Sequence, residues 1–258
     1  MTKDSGSVCA IVVTYNRKNL LIECLEALRR QTRPLDGIYV IDNASTDDTP
    51  AYLMEKGYIA EIPPSVLLEP YEREYLLGNY VNGGSIRFHY VRLPENTGGA
   101  GGFHEGMKRA YEKGYDWMWL MDDDAEAKED ALEKLLLAIK AHNSLAGGSR
   151  VVNEDGATIY HHRGVFSKDC SKTSLIIPIT ESNSNTQFVE FCSFVGFLVN
   201  REVVRRFGLP DKRFFIFHDD LEYSLRIKDS GKILYVKDSV IVHRVSYCYS
   251  HFKKIHFL

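Results

Sequence analysis

The sequence lacks a Cys-x-x-Cys pair, a surplus of basic residues and any long apolar run, and each absence narrows the field. Its five cysteines (Cys9, Cys24, Cys170, Cys192 and Cys248) are odd in number and widely spaced. That pattern gives neither a zinc site nor a disulfide framework, and it fits thiols kept reduced in a cytoplasm. The net charge is -3, which leaves no basic surplus to neutralise a phosphate backbone, so nucleic acid is not expected as a partner. No apolar run reaches the roughly 18 to 20 residues needed to span a bilayer. The opening "MTKDSGSVCAIVVTYN" has no basic region ahead of its apolar stretch, so no signal peptide is expected. Internal repeats, low-complexity tracts and an obvious linker are also missing. No G-x-G-x-x-G follows the first strand-like run, which makes a dinucleotide fold a poor reading.

What is present suits an ordinary soluble globule: 44% of the 258 residues are hydrophobic and 26% charged. "VCAIVVTY" (8–15) is apolar and rich in β-branched residues, as in a strand buried on both faces of a parallel sheet. In "NRKNLLIECLEALRRQT", Leu20, Leu21, Cys24, Leu25 and Leu28 recur at helical spacing, with Asn16 placed as the cap and Pro34 at the exit. "GIYVID" (37–42) predicts a second strand and "NASTDDTPAYLMEKG" a second helix. Residues 58–84 read as an insertion holding a short helix and a loop. "SIRFHYVRL" (85–93), "GGAGGFHEGMKRAYEKG", "YDWMWLM" (115–121) and "KEDALEKLLLAIKAH" then alternate strand and helix. The order predicts an α/β fold with a mostly parallel central sheet flanked by helices. The second half changes character. Short β-like runs ("AGGSRVVN", "ATIYHH", "SLIIPIT", "FVEFCSFVGFLVN") give way to helices in "REVVRRFG" and "HDDLEYSLRIKDSG" and strands in "KILYVKDSVIVHR".

"WMWLMDDDAEA" drives an apolar strand into three aspartates. In an open parallel sheet ligands gather at the carboxyl ends of strands, and adjacent carboxylates there repel one another unless a cation or hydrogen bonds intervene. Asp122 and Asp124, two apart in an extended segment, can point the same way and offer oxygen ligands to Mg²⁺ or Mn²⁺. The competing reading is that the aspartates cap the following helix. The other strand ends carry "TYN" (Thr14, Tyr15, Asn16), "IDNAS" (with Asp42) and "NTGGAGG" (with Asn96, Gly98 and Gly99). Glycines there permit close backbone approach, and a helix N-terminus favours an anion; a tight turn is the alternative. "FFIFHDDLEYSLR" places Asp219 and Asp220 at a helix start, as caps or as a general base. His243 ends the apolar "DSVIVH", as a structural residue or a metal ligand.

Together, "VVTYNR", "VIDNASTD", "NTGGAGGF", "LMDDDA", "FLVNREVV", "FFIFHDDLEYSLR" and the late "VIVH" resemble, in order, the inverting family 2 glycosyltransferases of the GT-A fold. The galactofuranosyltransferase branch is the nearest in pattern, with rhamnosyltransferases close to it. The resemblance implies one GT-A domain over 1–258, with a Rossmann-like nucleotide-sugar-binding half at about 8–124, an acceptor and catalytic half at about 125–245 and a tail at 246–258. It implies that Thr14, Tyr15, Asn16 and Asp42 hold the nucleotide base and that Asn96, Gly98 and Gly99 lie at the nucleotide-sugar. Asp122 and Asp123 would contact the donor, and Asp122, Asp124 and His243 would bind Mn²⁺ or Mg²⁺. Asp220 is implied as the catalytic base, with Asp219 behind it. Phe194 and Phe197 stand at the acceptor side, where tryptophans would be expected for galactofuranose transfer.

The implied reaction moves a hexose, galactofuranose or rhamnose, from a UDP- or dTDP-linked donor to a hydroxyl of a polysaccharide or lipid-linked glycan. A non-catalytic nucleotide-sugar-binding subunit and a nucleotidyltransferase are the rivals; the latter would want an early glycine-rich basic loop, which "VVTYNRKN" is not. From residue 201 onward there are twelve Lys and Arg against seven Asp and Glu. The tail "YCYSHFKKIHFL" mixes aromatics with Lys253 and Lys254, so it can lie on the inner face of a cytoplasmic membrane, pack on a second copy of the chain, or fray.

Overall fold

A computed structural model describes residues 6–168, 175–180, 183–228 and 233–244. The chain opens with strand β1 (Val8–Thr14), helix α1 (Lys18–Arg29), β2 (Gly37–Asp42) and α2 (Thr49–Glu55). β1 and β2 pair in parallel, Thr14 opposite Asp42. β3 (Tyr71–Gly78), β4 (Ser85–Arg92), α3 (Gly98–Lys113), β5 (Trp117–Asp122), β6 (Ala125–Ala127) and α4 (Ala131–Ala141) follow. Next come β7 (Ala146–Val152), β8 (Arg163–Phe166), β9 (Ile176–Pro178), β10 (Thr186–Val189), β11 (Phe191–Cys192) and β12 (Phe197–Asn200). The chain then adds α5 (Arg201–Phe207), α6 (Asp219–Ile227) and β13 (Ile233–His243). The main sheet runs β10-β13-β7-β12-β5-β1-β2-β4-β3, with β6 paired to β13, while β11, β8 and β9 form a smaller sheet.

β4, β2, β1 and β5 are parallel, so Thr14, Asp42, Arg92 and Asp122 finish along one edge, with Val13 opposite Asp122 and Asp42 opposite Arg92. Strand alternation divides the core. Val8, Ala10 and Val12 pack with Leu21, Leu25, Leu28, Leu132 and Leu135 of α1 and α4 on one face. Cys9, Ile11 and Val13 pack with Phe103, Met107, Val203 and Tyr223 of α3, α5 and α6 on the other. Gly102 and Gly106, one helical turn apart on α3, lie flat on β1: a Cβ at either would stand about 2.5 Å from Val13 or Ile11. Much of the glycine run thus seats the helix on the sheet.

Several expectations change. Residues 58–84 contain no helix; they carry β3, an antiparallel edge strand on β4. Tyr71, Tyr75 and Leu77 face the core, but Arg73 on that face, bound to Glu61, and the exposed Leu76 obscure the alternation. "ATIYHH" forms a short 3₁₀ turn at Tyr160–His162 rather than a strand. "KILYVKDSVIVH" forms one strand with a register shift between Val236 and Val240. Asn16 is not the cap of α1. It sits in the left-handed region at φ 57°, which asparagine tolerates, and its Oδ1 accepts from Thr46 N at 2.6 Å. Asp47 reaches across instead, accepting from Lys18 N at 3.3 Å. Cys9, Cys24 and Cys192 are free, buried thiols. Cys170, Cys248 and the tail at 246–258 lie outside the described residues. Among the described residues no helix is long and apolar enough to cross a membrane.

Candidate active site

The three aspartates do not cap a helix. β5 ends on Asp122, the chain turns, and β6 begins at Ala125, so α4 starts only at Ala131. β6 runs antiparallel to the end of β13, Ala125 opposite His243. That pairing carries the histidine to the aspartates: His243 Nε2 lies 3.1 Å from Asp124 Oδ1, and one potential ligand atom each of Asp122, Asp124 and His243 falls within 4.8 Å of the others. Asp123 turns the other way and accepts from Thr14 Oγ1 at 2.7 Å. Arg17, just past β1, donates to Asp124 Oδ2 at 2.7 Å and lies 3.5 Å from Asp123.

The electrostatics record the crowding. Burial first, then the charge of Asp124, pushes the Asp122 carboxyl up to about 8. Burial raises Asp123 to about 6 against the Thr14 hydrogen bond and Arg17. For Asp124 burial also works upward, but His243 and Arg17 outweigh it and hold the carboxyl below its usual range. Burial lowers His243, and contact with Asp124 more than reverses this, so the imidazole is held above its ordinary value. The chemistry of the donor set fits a cation here: two carboxylates and one imidazole suit Mn²⁺ or Mg²⁺.

Asp219 and Asp220 open α6. Asp219 is buried and Asp220 half-buried. Burial, then the neighbouring Asp219, pushes Asp220 up to about 7, while Arg163 pulls against it. The charge of Asp219 also raises Asp122, so the two carboxylate clusters share one electrostatic site. Arg163, fully buried at 2% exposure, donates to the carbonyls of His162 at 2.7 Å and Val195 at 2.6 Å.

The remaining sequence-predicted residues divide. Tyr15 is exposed at the end of β1, and Gly99 has open space around its Cβ position. Asp42 is fully buried; it accepts from Tyr90 Oη at 2.5 Å, Arg92 at 2.7 Å and Ser45 N at 2.8 Å, so its carboxylate serves the turn after β2 and presents no surface to a nucleobase. Asn96 is exposed, but its Oδ1 accepts from Gly98 N at 2.9 Å. Phe194 and Phe197 are core residues, 4% and 0% exposed. Phe194 packs edge-on against Phe103 of α3 and Tyr223 of α6, so it ties two helices together and offers no face to an acceptor. Sequence reasoning missed Arg17, Asn43 and Arg163. Asn43 spans the edge, its amide donating to Gly98 O at 2.8 Å and accepting from Thr97 N at 2.8 Å. Its position inside the quoted "IDNAS" was the available signal.

Comparison with known proteins adds independent information. Residues 9–58 and 73–208 match the family described as Glycosyl transferase family 2; the gap falls in the segment leading into β3, and the match ends before Asp219, Asp220 and His243. Galactofuranosyltransferase GlfT1 of Mycobacterium tuberculosis (strain H37Rv) is 33% identical over 230 residues, 87% of this chain. GlfT1 of Mycolicibacterium smegmatis is 30% identical over 229 residues, and dTDP-rhamnosyl transferase RfbF of Shigella flexneri is 24% identical over 161 residues, covering 62% of this chain and 53% of RfbF. The chain spans 66% of the length of either GlfT1 relative. Among solved structures, one titled GalNAc-T7 with UDP, GalNAc and Mn²⁺ aligns with TM-score 0.66 at 16% identity, over 95% of this chain and 45% of that one. S. aureus TarS aligns with TM-score 0.60 at 15% identity, over 93% and 37%. At these identities the structural likeness speaks to fold, and the fold is GT-A.

Proposed function

The chain belongs to glycosyl transferase family 2, and from that premise we propose that it transfers a hexose from a nucleotide diphosphate-sugar to a hydroxyl of a glycan, with inversion. Galactofuranose or rhamnose, carried on UDP or dTDP, are the favoured donors by the relatives' names. A polysaccharide or lipid-linked glycan is the favoured acceptor. The observation that carries this reading is the convergence of Asp122 and Asp124, from the end of β5 and the turn after it, with His243, from the end of β13, onto one strand edge, within electrostatic reach of Asp219.

In this reading Asp220 accepts the proton of the acceptor hydroxyl. The freed oxygen attacks the anomeric carbon as the bond from that carbon to the diphosphate oxygen breaks, and the nucleoside diphosphate leaves with the bonding pair. Burial and the neighbouring Asp219 push the Asp220 carboxyl up to about 7, which suits a base working near neutral pH. Asp122, Asp124 and His243 would hold Mn²⁺ or Mg²⁺, whose charge would offset that gathering on the departing diphosphate. Arg17 adds positive potential for the same group.

The test is a thermal-shift titration with UDP, dTDP and GDP, each with and without Mn²⁺, followed by turnover with the sugar of the nucleotide that binds. Metal-dependent stabilisation by one nucleotide, lost in Asp124→Asn, supports the site. Asp220→Asn should keep that stabilisation and lose about 10²- to 10⁴-fold in kcat. Binding indifferent to Mn²⁺ would remove the metal from the proposal, and full turnover by Asp220→Asn would remove the base.

A further inference from the structure

Gly98 was expected at the donor, yet the space beside it is occupied by protein. Its φ is +71°, and a Cβ there would stand 1.9 Å from the carbonyl oxygen of Phe215 and 2.5 Å from its carbonyl carbon. That oxygen accepts from Ala100 N at 3.0 Å, one of the amides at the start of α3 that has no partner within the helix. The Gly98 turn is fixed from behind by Asn43, which grips Gly98 O and Thr97 N, and by Asn96, which accepts from Gly98 N.

Phe215 has a cost to bear on its side. It is non-glycine at φ 60°, ψ -69°, and Phe217 and His218 follow at φ 68° and 69°. Three non-glycine residues in the left-handed region within four positions persist only where surroundings over-determine them. Side-chain burial is not what holds Phe215, whose ring is 51% exposed. Locally it is the centre of a tight turn closed by Ile216 N donating to Phe214 O at 2.6 Å, and its carbonyl is held from outside by the backbone clasp onto α3. The next residues after this strained run are Asp219 and Asp220. Two further ties hold α3 to this region: His104 Nδ1 lies 2.8 Å from the carbonyl of Pro210, in the segment ahead of α6, and Phe194 packs between Phe103 of α3 and Tyr223 of α6.

We propose that the Gly98–Phe215 clasp is a positioning element that sets the catalytic carboxylates at the start of α6 against the donor-side turn at the start of α3. Gly98 serves by having no side chain, and Phe215 serves through its carbonyl. The inference rests on Asp220 as the base, and its test is separable from that assignment.

Gly98→Ala puts a methyl group into the clasp. Phe215→Pro breaks it from the other side, because proline cannot adopt φ +60°. Phe215→Gly is the conservative variant, since glycine adopts that backbone freely. Amide exchange at Ala100 and over residues 216–222, measured without any substrate, should rise about tenfold or more in Gly98→Ala and Phe215→Pro and stay near wild type in Phe215→Gly. Calorimetry with UDP and Mn²⁺ should give a Kd within about threefold of wild type in all three, while kcat falls about 100-fold in the first two, as expected for a base displaced by about 1 Å. Unchanged exchange over 216–222 in both disruptive variants overturns the coupling. A large rise in Kd with normal kcat makes Gly98 a donor contact and also overturns it. If Gly98→Ala fails to fold, Phe215→Pro carries the same readings. Full activity in Asp220→Asn would sink the base assignment and leave the exchange result standing.

Discussion

Divalent-cation affinity at the Asp122–Asp124–His243 cluster should climb steeply with pH, and the slope can be worked out from the site. Asp122 is pushed up to about 8, chiefly by burial and then by Asp124. It binds metal only as a carboxylate, so below pH 8 each cation must expel a proton. At pH 6 that carboxyl is about 1% ionised, which weakens binding about a hundredfold relative to its ionised form. His243 is also held above its ordinary value by Asp124 and must be neutral to ligate, which adds to the slope. The expectation is that the Mn²⁺ Kd, measured by calorimetry at constant ionic strength, tightens by about tenfold per pH unit between 6 and 8, and by more where His243 also releases its proton. The released proton should appear as a dependence of the binding heat on the buffer's ionisation enthalpy. A Kd flat over that range, with no proton release, would refute both the crowding of the carboxylates and their use as ligands.

The same shift has a sign for stability. A carboxyl whose folded pKa is raised is better protonated in the native state than in the unfolded one. The metal-free protein should therefore lose stability as pH rises from about 4 to about 8, and Asp122→Asn, which removes the burden, should melt higher than wild type at pH 8 while failing to bind Mn²⁺. Asp42→Asn should do the opposite. It leaves Arg92 and the Tyr90 hydroxyl facing an amide at a fully buried position, at a cost of about 3 kcal/mol, or a fall in melting temperature of about 6 to 12 °C; a loss under about 1 kcal/mol in urea unfolding would show that Asp42 is not the keystone of its turn. Arg163→Met strips the donors from the His162 and Val195 carbonyls, worth about 3 kcal/mol together. It also removes the cation that favours the Asp220 carboxylate, so the acid limb of the kcat profile should move upward from about 7. An unmoved limb would separate Arg163 from the base.

Local pattern carried the fold far. Apolar runs marked β1, β2, β4 and β5, and helical spacing marked α1, because each buries a whole face or stripe that its own residues must supply. The elements that went unread are those made by partners. "AEA" has no β propensity to speak of; it becomes β6 because β13 lies beside it. β3 hides its alternation behind Arg73, whose guanidinium is taken up by Glu61. In the site, Asp122 and Asp124 could be paired by spacing alone, but nothing local tells that Asp123 will turn to Thr14, 109 residues away. Nor does anything local mark Phe194 as core rather than rim, since the same "SFVGF" would suit either.

Why, then, can three adjacent carboxylates sit side by side at the end of a buried strand? The structure answers by giving each a different counterweight. Asp123 takes a hydroxyl from Thr14, Asp124 takes the guanidinium of Arg17 and the imidazole of His243, and Asp122, with only the more distant pull of His243 against burial and Asp124, is pushed up to about 8. The arrangement spreads the repulsion so that one residue bears most of it. That residue is the one whose protonation a metal ion would reverse, which ties cation binding, proton release and the stability of the strand edge to a single side chain. Arg17 and His243 both approach Asp124, so the charge of that carboxylate is already shared between two positive neighbours.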